Sequence, residues 1–314
     1  MSKVAVIIPA YNSQQYIGDT VRSVINQTYS DWQIVVSDDN SSDQTIDVVN
    51  KFKKTDSRIE VYTHTNLGYA ANCNYGLSKV SQDTDFIMFL DNDDFLEPYA
   101  LELLVERLDT NPDAVAAYGL PRFVNHLGEP DSQKPERYFG YPRYFIRNDK
   151  LLEVRDEEPN TDFSAMVIWS QIATGGQILI RKQAIVELGG MDLNVGIGSD
   201  WDLWIQLALM GSFIFTKTIV MNKRYHDNNA SSQGRILAIS EPAIRKKLQA
   251  SDKLTAKQKK IARLGHLYSC YFKLIWSREA FLKGGIFPGI RQLIRAMKAY
   301  LIYLRDWTLM RYAD

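Results

Sequence analysis

Apolar and polar positions alternate in blocks along the first hundred residues. Residues 4–8 (VAVII) form a short, β-branched apolar run ended by Pro9, the pattern of a strand buried on both faces. Asn12 or Ser13 can cap a following helix, whose apolar positions Ile17, Val21, Val24 and Ile25 keep the helical period. The order then repeats. A strand at 33–36 closes on the polar cluster 37–43, a helix covers 45–52, a strand follows at 59–62, a helix opens over 70–77, and a strand at 85–90 ends on DNDD (91–94). Strands separated by helices of this length predict right-handed βαβ units in a mostly parallel sheet. The fold class expected is therefore α/β, a Rossmann-like sheet flanked by helices. Ligands of such sheets sit beyond the carboxyl ends of the strands.

The later pattern is less regular. It predicts a helix over 98–108, a strand at 114–118, regular structure over 178–188, an amphipathic helix over 200–210 and a strand at 216–220. Residues 129–162 are charged, aromatic and without period, which suits a functional loop or an insertion. Tyr138, Phe139, Tyr141, Tyr144 and Phe145 either face a ligand, as a binding surface or lid, or pack the loop onto the sheet edge.

Composition changes this picture in one respect. Lys and Arg total 37, as do Asp and Glu, so there is no global basic field for nucleic acid. The balance hides an asymmetry. Residues 1–240 hold 21 basic and 32 acidic side chains, and 241–314 hold 16 and 5. We therefore expect an acidic body at 1–240 and a basic helical extension at 241–314, whose 286–305 segment is amphipathic. That segment lies on an anionic membrane, packs on the body or joins a dimer. Cys73 and Cys270 have no metal-type spacing, which fits a reducing compartment. No apolar run nears the roughly 18 residues of a membrane span, and no signal peptide is visible. The expected location is cytoplasmic, with peripheral contact at the inner face of the membrane.

Candidate chemistry gathers at the predicted strand ends. Three carboxylates in four residues at 91–94 repel one another unless a cation neutralises them, and their oxygens suit Mg²⁺ or Mn²⁺. A strand-end turn would use the same residue types. Asp38 and Asp39 end a neighbouring strand, where a carboxylate can accept a pyrimidine ring N–H. Asp200 opens a helix, whose dipole favours its ionised form. His226 gains meaning as a ligand only beside a metal site. Gly175 and Gly176 either admit a ligand close to the backbone or form a simple turn.

In this order the motifs resemble the family 2 glycosyltransferases of the GT-A fold. The resemblance runs over about residues 3–230 through VIIPAYN (6–12), SVINQTY (23–29), VSDDNSSDQT (36–45), NLGYAANCNYG (66–76), FLDNDDFLEP (89–98), GGMD (189–192) and SDWDLW (199–204). It implies an inverting transfer from a nucleotide sugar, most simply a UDP-sugar, to a hydroxyl of a glycan or lipid-linked glycan. It also implies Mn²⁺ or Mg²⁺ and a role in cell-surface polysaccharide synthesis. Asp39 then takes the uracil N3–H and Tyr11 packs on the base. Pro9, Asn12, Asn66, Gly68, Asn72 and Asn92 fall at nucleotide-sugar-binding positions. Asp93 ligates the metal, Asp91 faces ribose or metal, and His226 completes metal or diphosphate binding. Asp200 is the general base, and Trp201 beside it faces the acceptor. Ser199 stands where the family has Glu, and Asn72 and Cys73 replace the commoner Ala and Arg. If that Arg holds the diphosphate in relatives, Arg181 or Arg224 does so here.

Two other readings compete. A sugar nucleotidyltransferase needs a Gly-rich, basic first loop, and PAYN (9–12) has neither glycine nor base. A non-catalytic nucleotide-sugar sensor or assembly scaffold predicts a lost base or metal ligand, whereas Asp93 and Asp200 are present.

Overall fold

The structure, a computed structural model, describes residues 2–130, 142–196, 198–226, 229 and 236–284, with positions 290, 293, 294, 297, 300 and 301. The alternation read from the sequence is observed as β1 (Val4–Ala10), α1 (Ile17–Ile25), β2 (Trp32–Asp38), α2 (Thr45–Lys53), β3 (Ile59–Thr63), α3 (Tyr69–Ser78) and β4 (Phe86–Phe89). Then come β5 (Phe95–Leu96), α4 (Ala100–Asp109), β6 (Ala116–Val124), the hairpin β7 (Arg143–Arg147) and β8 (Lys150–Val154), and α5 (Phe163–Met166). The chain continues through β9 (Ile178–Arg181), α6 (Lys182–Leu188), α7 (Ser199–Met210), β10 (Phe213–Arg224), α8 (Ile236–Ala250) and α9 (Ala256–Gly284).

Eight strands form one sheet in the order β3-β2-β1-β4-β9-β6-β10-β5, and only β9 and β5 run against their neighbours. The strand period of two splits the core into two layers. Val4, Val6 and Ile8 of β1 pack with α1 and α4 on one face, and Ala5 and Ile7 pack with α7 and the C-terminal helices on the other. Pro9 sits in this central strand without cost because β4 pairs only with residues 4–7, so its missing N–H faces no partner there.

The irregular middle of the chain contains a hairpin that the pattern concealed. Arg143 on β7 is fully buried, and its guanidinium donates to the carbonyls of Asp156, Glu157 and Pro159 and to Thr161 Oγ1. A charged residue at an inward position breaks the apolar alternation by which strands are read. Phe145 is buried, and Tyr144 packs edge-on against Trp169 and Phe272 of α9. These rings therefore cement the hairpin to a C-terminal helix. Tyr138, Phe139 and Tyr141 lie outside the described residues.

The boundary expected at 240/241 falls inside α8. Ile244, Leu248, Leu254, Ala262 and Phe272 share an apolar cluster with Ile7, Ile87 and Tyr118 of the sheet. The first half of the basic extension is thus part of the body's core. Among the described residues, no helix is long and apolar enough to cross a membrane.

Glu241 pins α8 to α9. Its carboxylate accepts from Ser269 Oγ (2.8 Å), Arg245 Nη2 (3.2 Å) and Lys273 Nζ. Burial alone would raise its pKa, but Lys273 and Arg245 outweigh burial and hold it down at about 2. A carboxyl lowered from its ordinary 4.5 stabilises the fold fully above that value, and the contribution fades as pH falls toward about 2. Glu241→Gln should lower the melting temperature at neutral pH, since breaking a buried pair costs about 3–5 kcal/mol. It should also flatten the acid side of the melting curve in that window. A variant that melts like the unsubstituted protein at neutral pH would refute this account.

Candidate active site

The carboxyl end of the parallel strands carries the polar turns. After β4 the chain folds back at 91–94, closed by Asp94 N–H donating to Asp91 O at 3.1 Å. The Thr20 hydroxyl lies 2.7 Å from Asp94 O and 3.0 Å from Asn92 O, which locks the turn to α1. Asp94 is fully buried, accepts from Arg224 N–H (2.9 Å) and lies 3.3 Å from Thr174 Oγ1 and 3.7 Å from Lys223 Nζ. Burial pushes its carboxyl well above the usual range; Lys223 opposes that shift, and Asp93 and Asp91 add to it. Desolvation works against the Lys223 charge, but Asp94, Asp91 and Asp93 outweigh it and hold the ammonium protonated.

Asp93 and His226 are brought together. Nε2 of His226 lies 2.9 Å from Asp93 Oδ2, and the imidazole stacks on Tyr16 at 4.7 Å. Asn229 Nδ2 donates to the same oxygen at 2.9 Å. Two ligands set about 2.1 Å from one ion at right angles are roughly 3 Å apart, so this pair fits Mn²⁺ or Mg²⁺. Asp91 does not join them. Its oxygens accept from Tyr69 Oη (3.0 Å) and Thr174 Oγ1 (2.7 Å). Among the described residues, no group of three or more His, Cys, Asp or Glu could hold a metal ion.

On the neighbouring strand end, Asp39 is buried and holds the 64–68 loop. It accepts from Leu67 N–H (2.6 Å) and Gly68 N–H (2.9 Å), with His64 Nδ1 3.5 Å away. Each oxygen still has a lone pair for a further donor. Gly68 supports this turn with φ of +83°, a conformation that favours glycine. Tyr11 is 51% exposed, an open ring beside the same strand ends, and Asn66 is exposed in the loop.

Asp200 lies in the first turn of α7, half-buried, with one oxygen accepting from Trp201 N–H at 2.7 Å. Burial raises its pKa, which the Trp201 N–H opposes and the nearby Asp91 charge reinforces.

Residues 5–164, half of the chain, match the profile of glycosyl transferase family 2. The chain belongs to glycosyl transferase family 2. It is 27% identical over 228 residues to the chondroitin synthase of Pasteurella multocida, a match covering 73% of this chain and 21% of that protein. It is 40% identical over 109 residues to the GalNAc(5)-diNAcBac-PP-undecaprenol beta-1,3-glucosyltransferase of Campylobacter jejuni, covering 34% of this chain and 35% of the relative. The chain thus matches about a fifth and a third of these relatives. The fold is similar to S. aureus TarS 1–349 in complex with UDP-GlcNAc. Their TM-score is 0.67 at 16% identity, over 94% of this chain and 79% of that one.

Within this GT-A frame several expected site residues do other work. Trp201 faces the core, 4% exposed. Its Nε1 donates to Met166 O at 2.8 Å and Arg245 lies over its ring at 5.3 Å. One residue along a helix is a turn of about 100°, which takes Trp201 away from the face of Asp200. Gly175 and Gly176 are buried behind β4, where a Cβ would lie 2.3 Å from Phe89 O and 2.8 Å from Leu90 Cδ1. They allow backbone to pack under the acidic turn, and they offer no open ligand surface. Asn72 is buried, donating to Ala10 O (3.3 Å) and lying 3.0 Å from His64 Nε2. Pro9 is buried in β1, and Asn12 Oδ1 accepts from Ser42 N–H at 2.8 Å, so both shape the strand ends. Asn92 meets Thr20 through its carbonyl. Arg181 is at the opposite end of β4, donating to the carbonyls of Ala114, Leu108 and Asn111. Arg224 is spent on Asp93 O, His126 O and Asp19.

Thr174, Lys223 and Asn229 were missed as site residues. Lys223 and Asn229 flank His226 closely enough to be inspected with it, while Thr174 carries no local signal. Asn74, within the 66–76 motif, exchanges two 2.8 Å hydrogen bonds with the Met191 backbone and so fixes the loop leading to α7.

The raised Asp200 pKa has a consequence for rate. If Asp200 is the general base proposed below, it works only when deprotonated, and transfer should fall as pH drops through that raised value. The acid limb of kcat/KM should have its midpoint above the ordinary 3.8, and it should vanish in Asp200→Asn against the residual rate. A limb at or below the ordinary value would contradict the assignment.

Proposed function

We propose that this protein is an inverting glycosyltransferase that moves a sugar from a UDP-sugar to a hydroxyl of a glycan carried by lipid or polymer in cell-surface polysaccharide synthesis. The observation that carries this reading is the placement of Asp39 with Tyr11, Asp93 with His226, and Asp200 around the carboxyl ends of one sheet. The lone pairs left on Asp39 suit a uracil N3–H, and the open Tyr11 ring suits the base face. Asp93 and His226 would hold a divalent ion, which would supply Lewis-acid stabilisation of the leaving diphosphate. Asp200 takes the proton of the acceptor hydroxyl as its oxygen attacks the anomeric carbon. The bond from that carbon to the diphosphate oxygen breaks on the opposite side, so the configuration inverts. Desolvated and near Asp91, Asp200 is a stronger base than an exposed carboxylate.

Release of UDP from a panel of UDP-sugars, and calorimetry of UDP with Mn²⁺, test this reading. Asp200→Asn should keep UDP affinity and lose about 10²–10⁴ in transfer rate. Asp93→Ala should lose the Mn²⁺-dependent part of UDP binding. Wild-type turnover in Asp200→Asn would remove the base. Asp202→Asn is not a neutral control, because Asp202 is buried and accepts from Lys247 Nζ at 2.6 Å.

The tail supports a membrane-borne acceptor. Ile290, Ile294, Met297 and Leu301 occupy helical positions, spaced by three or four, and are 43–61% exposed. Residues 280–305 contain five Lys or Arg and no Asp or Glu. An apolar stripe in a basic segment suits an anionic lipid surface. The basic residues Arg291, Arg295, Lys298 and Arg305 lie outside the described residues. The protein should co-sediment with anionic vesicles and leave them at high salt, and Ile294→Glu/Met297→Glu should abolish that binding. If the unsubstituted protein ignores the vesicles and the double variant instead loses a dimer in light scattering, the stripe is a contact between copies.

A further inference from the structure

The donor site of a diphosphate leaving group needs a fixed positive charge, and the two arginines named for it are committed elsewhere. Arg181 lies at the far end of the sheet, and Arg224 directs its guanidinium into carbonyls and Asp19. The family's arginine position in α3 is occupied by Cys73, whose thiol is buried and kept neutral by desolvation, with Asp91 adding to the effect.

Among the described residues, one further Lys or Arg borders the site. Lys223 lies near the end of β10, paired with Phe123 of β6, which carries its side chain to the acidic turn. That side chain is only 10% exposed, yet its ammonium makes no hydrogen bond among the described residues. Its one ion partner is Asp94 Oδ2 at 3.7 Å, beyond hydrogen-bond reach. Its charge bears on Asp91 and Asp93 from one side and on Asp200 from the other. The stem is buried while the ammonium, with no hydrogen-bond acceptor among the described residues, keeps its donors for water or a ligand at the site. The site it borders is where a leaving diphosphate would meet the ion held by Asp93 and His226.

We propose that Lys223 is a donor-binding residue that grips the diphosphate of the nucleoside diphosphate sugar. It supplies from β10 the charge that α3 lacks at Cys73. This rests on the nucleotide-sugar reading above. The alternative is that Lys223 only neutralises Asp94.

The two are separated by removing both charges together. Lys223→Gln alone leaves Asp94 buried without a counter-charge, which could unfold the protein. Asp94→Asn/Lys223→Gln keeps size and charge balance. Calorimetry of the full-length protein with UDP and with UMP, each with Mn²⁺, gives the readout. The double variant should bind UDP about tenfold or more weakly than the unsubstituted protein, the worth of a charge-assisted hydrogen bond, while UMP affinity changes far less. Recovery of unsubstituted UDP affinity in the double variant would overturn the proposal, because Lys223 would then serve Asp94 alone. Equal losses for UDP and UMP would overturn it too. If the unsubstituted protein binds UDP but the variants behave in either of these ways, only this assignment falls. If the unsubstituted protein binds no nucleoside diphosphate, the functional reading falls with it.

Discussion

The burial of carboxylates, reinforced by their mutual repulsion, governs this end of the molecule. Asp91, Asp93, Asp94 and Asp200 meet where the parallel strands stop, and desolvation, with neighbouring carboxylates adding to it, raises the pKa of Asp94 and Asp200. Much of the surrounding architecture answers that repulsion. Arg224 N–H and Lys223 face Asp94, His226 and Asn229 face Asp93, and Tyr69 and Thr174 face Asp91. They arrive from α3, from the segment before β9, and from β10 with the residues just beyond it, so the turn exists in this form only when the sheet, α3 and β10 are all in place.

Strand β10 does more of this than its predicted length allowed. It was expected to cover five residues and it spans twelve, from Phe213 to Arg224. The extra length carries Lys223 and Arg224 beside β5 and delivers His226 just beyond the strand end. A strand that stopped at residue 220 would leave the acidic turn facing water.

The C-terminal helices bear on the segment that sets Asp200, the proposed base. Arg245 donates to Val167 O and Ile168 O and lies over Trp201, and Lys247 bridges Asp192 and Asp202. Both lysine partners flank the segment that sets Asp200, one in the loop before α7 and one on the helix itself. The described part of the basic extension therefore braces the start of α7, which carries the proposed base. Part of the extension's positive charge is paired with acidic residues of the body, through Lys247 with Asp192 and Asp202 and through Lys260 with Asp149.

Local pattern alone determined the parallel half of the sheet. Period-two and period-3.6 apolar spacing is set by backbone geometry and is visible in a few residues at a time. The residues that end those strands, Asp39, Asp91 and Asp93, were legible for the same reason, since a polar cluster after an apolar run marks a strand end, and Asp200 was legible as a carboxylate opening a helix. The hairpin at 143–154 was not legible, because buried Arg143 satisfies its donors with carbonyls far along the chain. Nor were the true roles of Trp201, Gly175, Gly176 and Asn72, each of which depends on which neighbour lies within a few ångströms. The pairing of Asp93 with His226 spans 133 residues and that of Thr174 with Asp91 spans 83. Such pairings depend on sheet order and on the packing of helices from the end of the chain, and distance along the sequence carries no information about either.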